Sequence, residues 1–283
     1  MVERHPFLDL ISHALLALGV MVIVFPIYLA LVGSTHSAQD MAQSPIPIWF
    51  GQDAWLNYRT ILFGEGPGVT SQVPVARMMW VSLVTALSIA FGKIVISLLS
   101  AFAIVYFNFP FRKAVFWGIF ITLMLPVEVR IVPTYQVVAD FGMINSFAGL
   151  TIPLIASATA TFLFRQFFLT VPDELAEAAK MDGASPMQFF WDVLLPLSRT
   201  SIAALFVIQF IYGWNQYLWP LLMSTEERMY PIVMGIRSMT AGADSQVQWN
   251  LVMATAILAM LPPALVVVLM QKWFVKGLVD TEK

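Results

Sequence analysis

Long charge-poor segments, each of a length to cross a bilayer, constrain this chain more than any other feature. A spanning helix needs about 20 mainly apolar residues. Six segments meet that need: 10–33, 77–107, 114–135, 147–169, 201–223 and 249–271. Charged residues make up 11% of the chain and hydrophobic ones 59%, whereas a soluble domain carries about 25% charge. In hydrocarbon the backbone must satisfy its own hydrogen bonds, so the expected fold class is an all-α membrane protein with six transmembrane helices in one domain. Pro26, Pro126, Pro153 and Pro262-Pro263 fall inside these runs and predict bent helices. The first run carries no charge between Leu10 and Gly33. It exceeds the roughly 7–15 residues of a signal-peptide core and reads as a retained span.

Lysine and arginine outside the runs set the orientation. Arg4, Arg112, Lys113, Arg165, Lys180, Arg199, Lys272, Lys276 and Lys283 fall on one side, and Arg59, Arg77, Arg228 and Arg237 on the other. The bias favours both termini in the cytoplasm. Trp80, Trp117, Trp219, Trp249 and Trp273 lie near run ends, where amphipathic rings favour the interface. The outer segment 34–75 carries Trp49, Phe50, Trp55 and Tyr58. It reads equally as an exposed docking surface or as an amphipathic element on the outer leaflet.

Composition excludes several functions. Net charge is −2, which argues against nucleic acid. There is no cysteine, and His5, His13 and His36 show no metal-ligand spacing. No metal site or bound cofactor is expected, and no Ser/His or paired-Asp constellation marks an enzyme. A P-loop needs Gly, four residues, then Gly-Lys-Ser/Thr. Gly92-Lys93 is followed by Ile94 and lacks the first glycine, so any ATP must be hydrolysed elsewhere.

The segment 170–200 is the longest polar interruption, and with this topology it faces the cytoplasm. Asp173 follows Pro172 as an expected N-cap, with Glu174 and Glu177 at the positive end of the helix dipole. Gly183 fits the left-handed position that stops the helix. Ser185-Pro186 reads as the cap and first residue of a second helix. Met187, Phe190, Trp191 and Leu194 give it an apolar face, and Pro196 is expected to end it. A helix, a glycine turn and a helix form a peg for a partner in water. They also fit an interfacial pair packed under the bundle.

Glu177-Ala178-Ala179, then Gly183, Val193 and Leu195-Pro196, resembles the EAA loop of ABC importer permeases. Val193 replaces the usual isoleucine and keeps its β-branched bulk. Pro126-Val127-Glu128 through Pro133, Arg165-Gln166-Phe167-Phe168, Asp182-Gly183-Ala184, Trp214 to Leu218 and the tail 274–277 are similar to the MalG-type carbohydrate permeases. The resemblance implies the type I ABC importer permease fold in a bacterial inner membrane. It implies a second homologous permease, two ATPase subunits that hold ATP and Mg, and a periplasmic substrate-binding protein. Glu177, Ala178, Ala179, Asp182, Gly183, Leu195 and Pro196 would couple the chain to the ATPase. Whole-chain likeness within the family leans to sn-glycerol-3-phosphate, with glycerophosphodiesters close by. An oligosaccharide or polyol is the alternative cargo, and an ion-coupled carrier working alone is a more distant reading.

Ionisable groups at mid-membrane mark functional sites by default. Lys93 and Glu128 fall at matching depth, about 21 Å from the inner ends of their helices at about 1.5 Å per residue. They read first as an ion pair, with Arg130 nearer the outer water. Alternatively Lys93 or Arg130 lines an anion path. Asn215 and Gln216 read as amides that hydrogen-bond across helices, with a cavity contact for Asn215 as the other reading.

Overall fold

A computed structural model of the chain describes residues 6–64, 73–122, 127–240 and 247–279. The described residues are helical, with no strand among them. The helices are α1 (Pro6–Gly33), α2 (Ala38–Met41), α3 (Ala54–Phe63), α4 (Val75–Tyr106) and α5 (Arg112–Ile121). They continue with α6 (Val127–Asp140), α7 (Phe147–Thr151), α8 (Ala158–Phe168), α9 (Asp173–Met181) and α10 (Pro186–Phe189). The last are α11 (Leu195–Leu197), α12 (Arg199–Trp214), α13 (Leu218–Met223), α14 (Ile232–Thr240) and α15 (Trp249–Val279).

Three helices are long and apolar enough to cross a bilayer unbroken: Leu10–Gly33, Val75–Tyr106 and Trp249–Trp273. Pro26 and Pro262-Pro263 lie inside two of them without ending them. Two further runs are broken. Phe147–Leu154 and Ala158–Phe168 meet at 47°, with Pro153 in a 3₁₀ turn that lacks one backbone donor. The expected fifth span stops at Trp214, and a short turn precedes α13. The expected third span is α5 and α6, and its middle, with Pro126, lies outside the described residues.

The chain divides into two compact units, residues 1–77 with 235–261, and residues 78–234 with 262–283. In the first unit, Asn57 holds the outer segment together. Its amide nitrogen donates to Ser34 O at 2.9 Å and His36 O at 2.8 Å. Its oxygen accepts from Asn250 Nδ2 at 3.0 Å. Trp49, Phe50 and Trp55 stay exposed around this knot. The flanks of α1, from Leu15 to Phe25, are also exposed and apolar, as a lipid-facing helix requires.

The second unit has two cores that share α4. One gathers Val81, Ile89, Val138, Leu150, Leu154 and Trp219 with Met223 and Met229. Trp219 is buried here, and its Nε1 donates to Gly149 O at 3.0 Å, so it is a core residue and not an interfacial ring. Asn145 closes the same end in a left-handed conformation, donating to Thr225 Oγ1 and accepting from Thr225 N, both at 2.7 Å. The second core is aromatic. It joins Ile94, Leu98 and Phe102 of α4 to Phe164 and Phe168 of α8 and to Phe189, Phe190 and Leu194 of the polar segment.

Helices α4 and α12 meet closely at Gly213, where an added Cβ would lie 2.8 Å from Ala86 Cα. Small residues permit such backbone contact between membrane helices. Gly213→Leu should therefore destabilise the chain by about 1–3 kcal/mol through overpacking. Gly19→Leu, with nothing within 4 Å of its Cβ, should be neutral. The loss of monodisperse protein on heating in detergent checks both; equal melting of the two variants would contradict the packing.

Candidate functional site

The polar segment is two short helices locked at their junction. Helix α9 starts one residue earlier than expected: Pro172 takes the N-cap position, and Asp173 and Glu174 lie in the first turn. A proline at the cap loses nothing, because its missing N–H would be unsatisfied there anyway. The end is a paired hydrogen-bond motif. Ala184 N donates to Ala179 O at 2.9 Å and Gly183 N to Lys180 O at 3.1 Å. Gly183 has φ of 77°, which an L side chain adopts at a cost. Ser185 then caps α10 reciprocally: Gln188 N donates to Ser185 Oγ at 3.2 Å, and Ser185 N to Gln188 Oε1 at 2.7 Å.

Pro196 does not end the second helix. Residues Phe190–Leu194 widen into a π turn, with Leu195 N bonded to Phe190 O. The proline ring would otherwise press on the Asp192 carbonyl, and the wider turn makes room for it. The break comes at buried Ser198, whose hydroxyl donates to Leu194 O at 2.6 Å. There Pro186–Leu197 and Arg199–Trp214 meet at 73°.

The apolar stripe expected on this helix is divided. Phe190 and Leu194, with Phe189, are buried in the aromatic core. The Phe190 ring lies 5.0 Å from that of Phe102, and the Phe189 ring lies 5.2 Å from that of Tyr106. Met187 and Trp191 point the other way and are exposed, Trp191 by 58%. On α9, Ala176 and Ala179 pack against the same core, while Glu177 and Ala178 are exposed. Asp182 is exposed at the C-cap, and neighbouring Met181 is 83% exposed. Leu195 and Pro196 line an apolar groove of about 680 Å³ with Trp191, Arg199, Phe206 and Trp273. The outer face of the segment therefore presents several carboxylates, among them Glu177 and Asp182, a small Ala surface, and Met and Trp side chains.

The mid-membrane residues lie elsewhere in the same unit. Lys93 is 6% exposed, and its Nζ lies 3.6 Å from the centroid of the Tyr212 ring. A cation over an aromatic face is attracted by the ring quadrupole. Among the described residues no carboxylate is within ion-pair distance of Lys93. The expected partner, Glu128, has a side chain outside the described residues. Arg130 is exposed on α6 and lies within electrostatic range of Lys93. Asn215 is exposed at the C-cap of α12. Gln216 does not bridge helices: its Nε2 donates to Tyr212 O at 3.1 Å, satisfying the end of its own helix. Tyr212 was not singled out in the sequence; a tyrosine among Phe206, Phe210 and Trp214 reads there as one more core ring.

The chain belongs to the family of binding-protein-dependent transport system inner membrane components, which matches residues 93–280. It is 57% identical over 283 residues to the sn-glycerol-3-phosphate transport system permease protein UgpE of Brucella melitensis biotype 1, covering 100% of both chains. It is 57% identical over the same length to UgpE of Rhizobium meliloti, and 56% identical over 284 residues to that of Pectobacterium atrosepticum, again covering 100% of each. Its fold matches a chain in the crystal structure of a bacterial ABC transporter involved in the import of the acidic polysaccharide alginate. The TM-score is 0.78 at 19% identity, over 97% of this chain and 99% of that one.

The division of the stripe sets the outcome of two substitutions. Phe190→Ala should cost about 3–5 kcal/mol by opening the aromatic core. Trp191→Ala, one residue on, should stay within about 0.5 kcal/mol. Thermal unfolding of the two purified variants checks the order.

Proposed function

We propose that the chain is one of two permease subunits of an ATP-driven importer for sn-glycerol-3-phosphate. The observation that carries the reading is full-length identity of 54–57% to permeases named for that transport system. In this reading the chain is a six-span subunit of the bacterial inner membrane, with both termini in the cytoplasm. A second homologous permease completes the pore. Two ATPase subunits bind below with ATP and Mg, and a periplasmic binding protein delivers the cargo.

The polar segment is built to transmit force. Its outer face, with Glu177, Ala178, Met181, Met187 and Trp191, is free to seat in an ATPase groove. Its inner face is fixed by Phe189, Phe190 and Leu194 to Ile94 and Leu98 of α4. Lys93 is the neighbour of Ile94 on that helix. Displacement of the loop by ATPase closure then moves α4 as a body, and Lys93 with it. Gly183 keeps the two short helices at a fixed angle, so the push is not lost in the turn. Lys93 and Arg130 supply positive charge to the path of a phosphate monoester, and Tyr212 supports Lys93 through its ring. Exposed Asn215, three residues after Tyr212 at the end of α12, offers an amide to the same path.

Affinity capture of the tagged chain from its native membrane, followed by mass spectrometry, tests the machine. A second permease and an ATPase should be recovered with the wild type. Gly183→Asp should remain in the membrane yet lose the ATPase and uptake together; normal uptake in that variant would sink the coupling role. The cargo assignment has its own test. Lys93→Met and Arg130→Gln should raise the half-saturating concentration for glycerol-3-phosphate about tenfold or more, the loss of one charge-assisted contact. Uptake at unchanged half-saturation, with both variants at wild-type abundance, would remove these cations from the path.

A further inference from the structure

A second group of cations is not used by this reading. Arg112 and Lys113, at the start of α5, and Arg165, on α8, line a cavity of about 470 Å³. No aspartate or glutamate is among its lining residues. The Arg165 guanidinium lies over the Phe116 ring, 4.2 Å from its centroid. Its Nε is buried and has no hydrogen-bond partner. Arg112 is fixed at the rim, where Nη1 donates to Phe107 O at 3.3 Å and to Asn108 Oδ1 at 3.2 Å. Apart from Gln166 the rest of the lining is aromatic or aliphatic, including Ile104, Phe120, Phe162 and Leu169, with the Phe120 and Phe162 rings 5.6 Å apart.

We propose that this cavity binds the phosphodiester of an anionic phospholipid, with the head of its acyl chains on the aromatic wall. Three observations converge on that chemistry. Three cations around one cavity whose lining holds no carboxylate favour an anion there. A buried guanidinium donor without an acceptor requires oxygens, and phosphate offers them in the geometry of the guanidinium fork. The apolar wall requires a ligand with hydrocarbon attached to its phosphate, which a free phosphate or a hydrophilic cargo lacks. Basic pockets between membrane helices hold lipid headgroups for the same reasons. The bound lipid would tie α5 to α8 and hence brace the aromatic core through Phe164 and Phe168, neighbours of Arg165 on the same helix.

The test is native mass spectrometry of the full chain, purified with the partner subunits it retains. Phosphatidylglycerol and phosphatidylcholine of identical acyl chains are added in separate and mixed arms. Phosphatidylglycerol should be retained over phosphatidylcholine, and each cation removed should lower that retention about fivefold. The variants are Lys113→Gln, on the exposed side of the rim, and Arg165→Gln, with Arg165→Lys as a partial rescue. Inorganic phosphate and glycerol-3-phosphate at millimolar concentration should leave the lipid in place. No headgroup preference in the wild type overturns the proposal. So does a preference that survives in Lys113→Gln, which decides the matter if Arg165→Gln fails to fold. Displacement by inorganic phosphate would replace the lipid with a soluble anion and overturn it too. Lipid retention is read without transport, so its failure is distinct from failure of the importer reading.

Discussion

The second unit depends on one side of α4 being buried at both ends. Val81 and Ile89 belong to one core, and Ile94, Leu98 and Phe102 to the other. Each core is closed by residues from distant parts of the chain. Trp219 and Asn145 finish the first, and Phe189 and Phe190 finish the second. A membrane interior gives no hydrophobic drive for helices to associate, because lipid tails are as apolar as leucine. Close packing and a few hydrogen bonds must supply it. That explains why aromatic rings and the Gly213–Ala86 approach lie where α4 meets its neighbours.

The same constraint governs where the backbone is irregular. Hydrocarbon leaves no water to accept freed hydrogen bonds, so each break must satisfy its own groups. At Pro196 the chain widens into a π turn, and at Ser198 a hydroxyl takes the Leu194 carbonyl. At the end of α12 the Gln216 side chain takes the Tyr212 carbonyl. These breaks are where the loop joins the bundle and where α12 gives way beside Lys93 and Tyr212. The irregular backbone at these places thus coincides with the surfaces through which the unit would respond to ATP and to cargo.

Much of this was legible from residues alone, for local reasons. Gly183, Ser185-Pro186 and Gln188 form a turn and a cap that depend only on neighbours in sequence. The long apolar runs of α1, α4 and α15 are set by composition. What was not legible depends on phase or on tertiary contact. A regular helix places Met187, Phe190, Trp191 and Leu194 on one face. Contact with the aromatic core instead buries Phe190 and Leu194 and leaves Met187 and Trp191 outside, and no periodicity count anticipates it. Trp219 looks interfacial until Gly149 O is found opposite its indole. The ring of Tyr212 against Lys93 is likewise a tertiary contact that no spacing in the sequence announces.

Charge is so scarce in this chain that its position carries information, and the two cation groups of the second unit differ in their surroundings. Lys93 is buried against an aromatic face, with Arg130 within range and an unwound helix end near Tyr212. Such a site suits an anion that passes, because the cation is already partly satisfied by the ring. Arg165 also lies over a ring, yet its Nε is left without an acceptor, and most of the lining beside it is aromatic or aliphatic. Such a site suits an anion that stays. A permease that carries a phosphate ester through a membrane of phosphate diesters must keep the two apart. The proposed lipid cavity would do so by chemistry: a ligand with a hydrocarbon chain gains free energy from the apolar part of the lining that a hydrophilic ester does not.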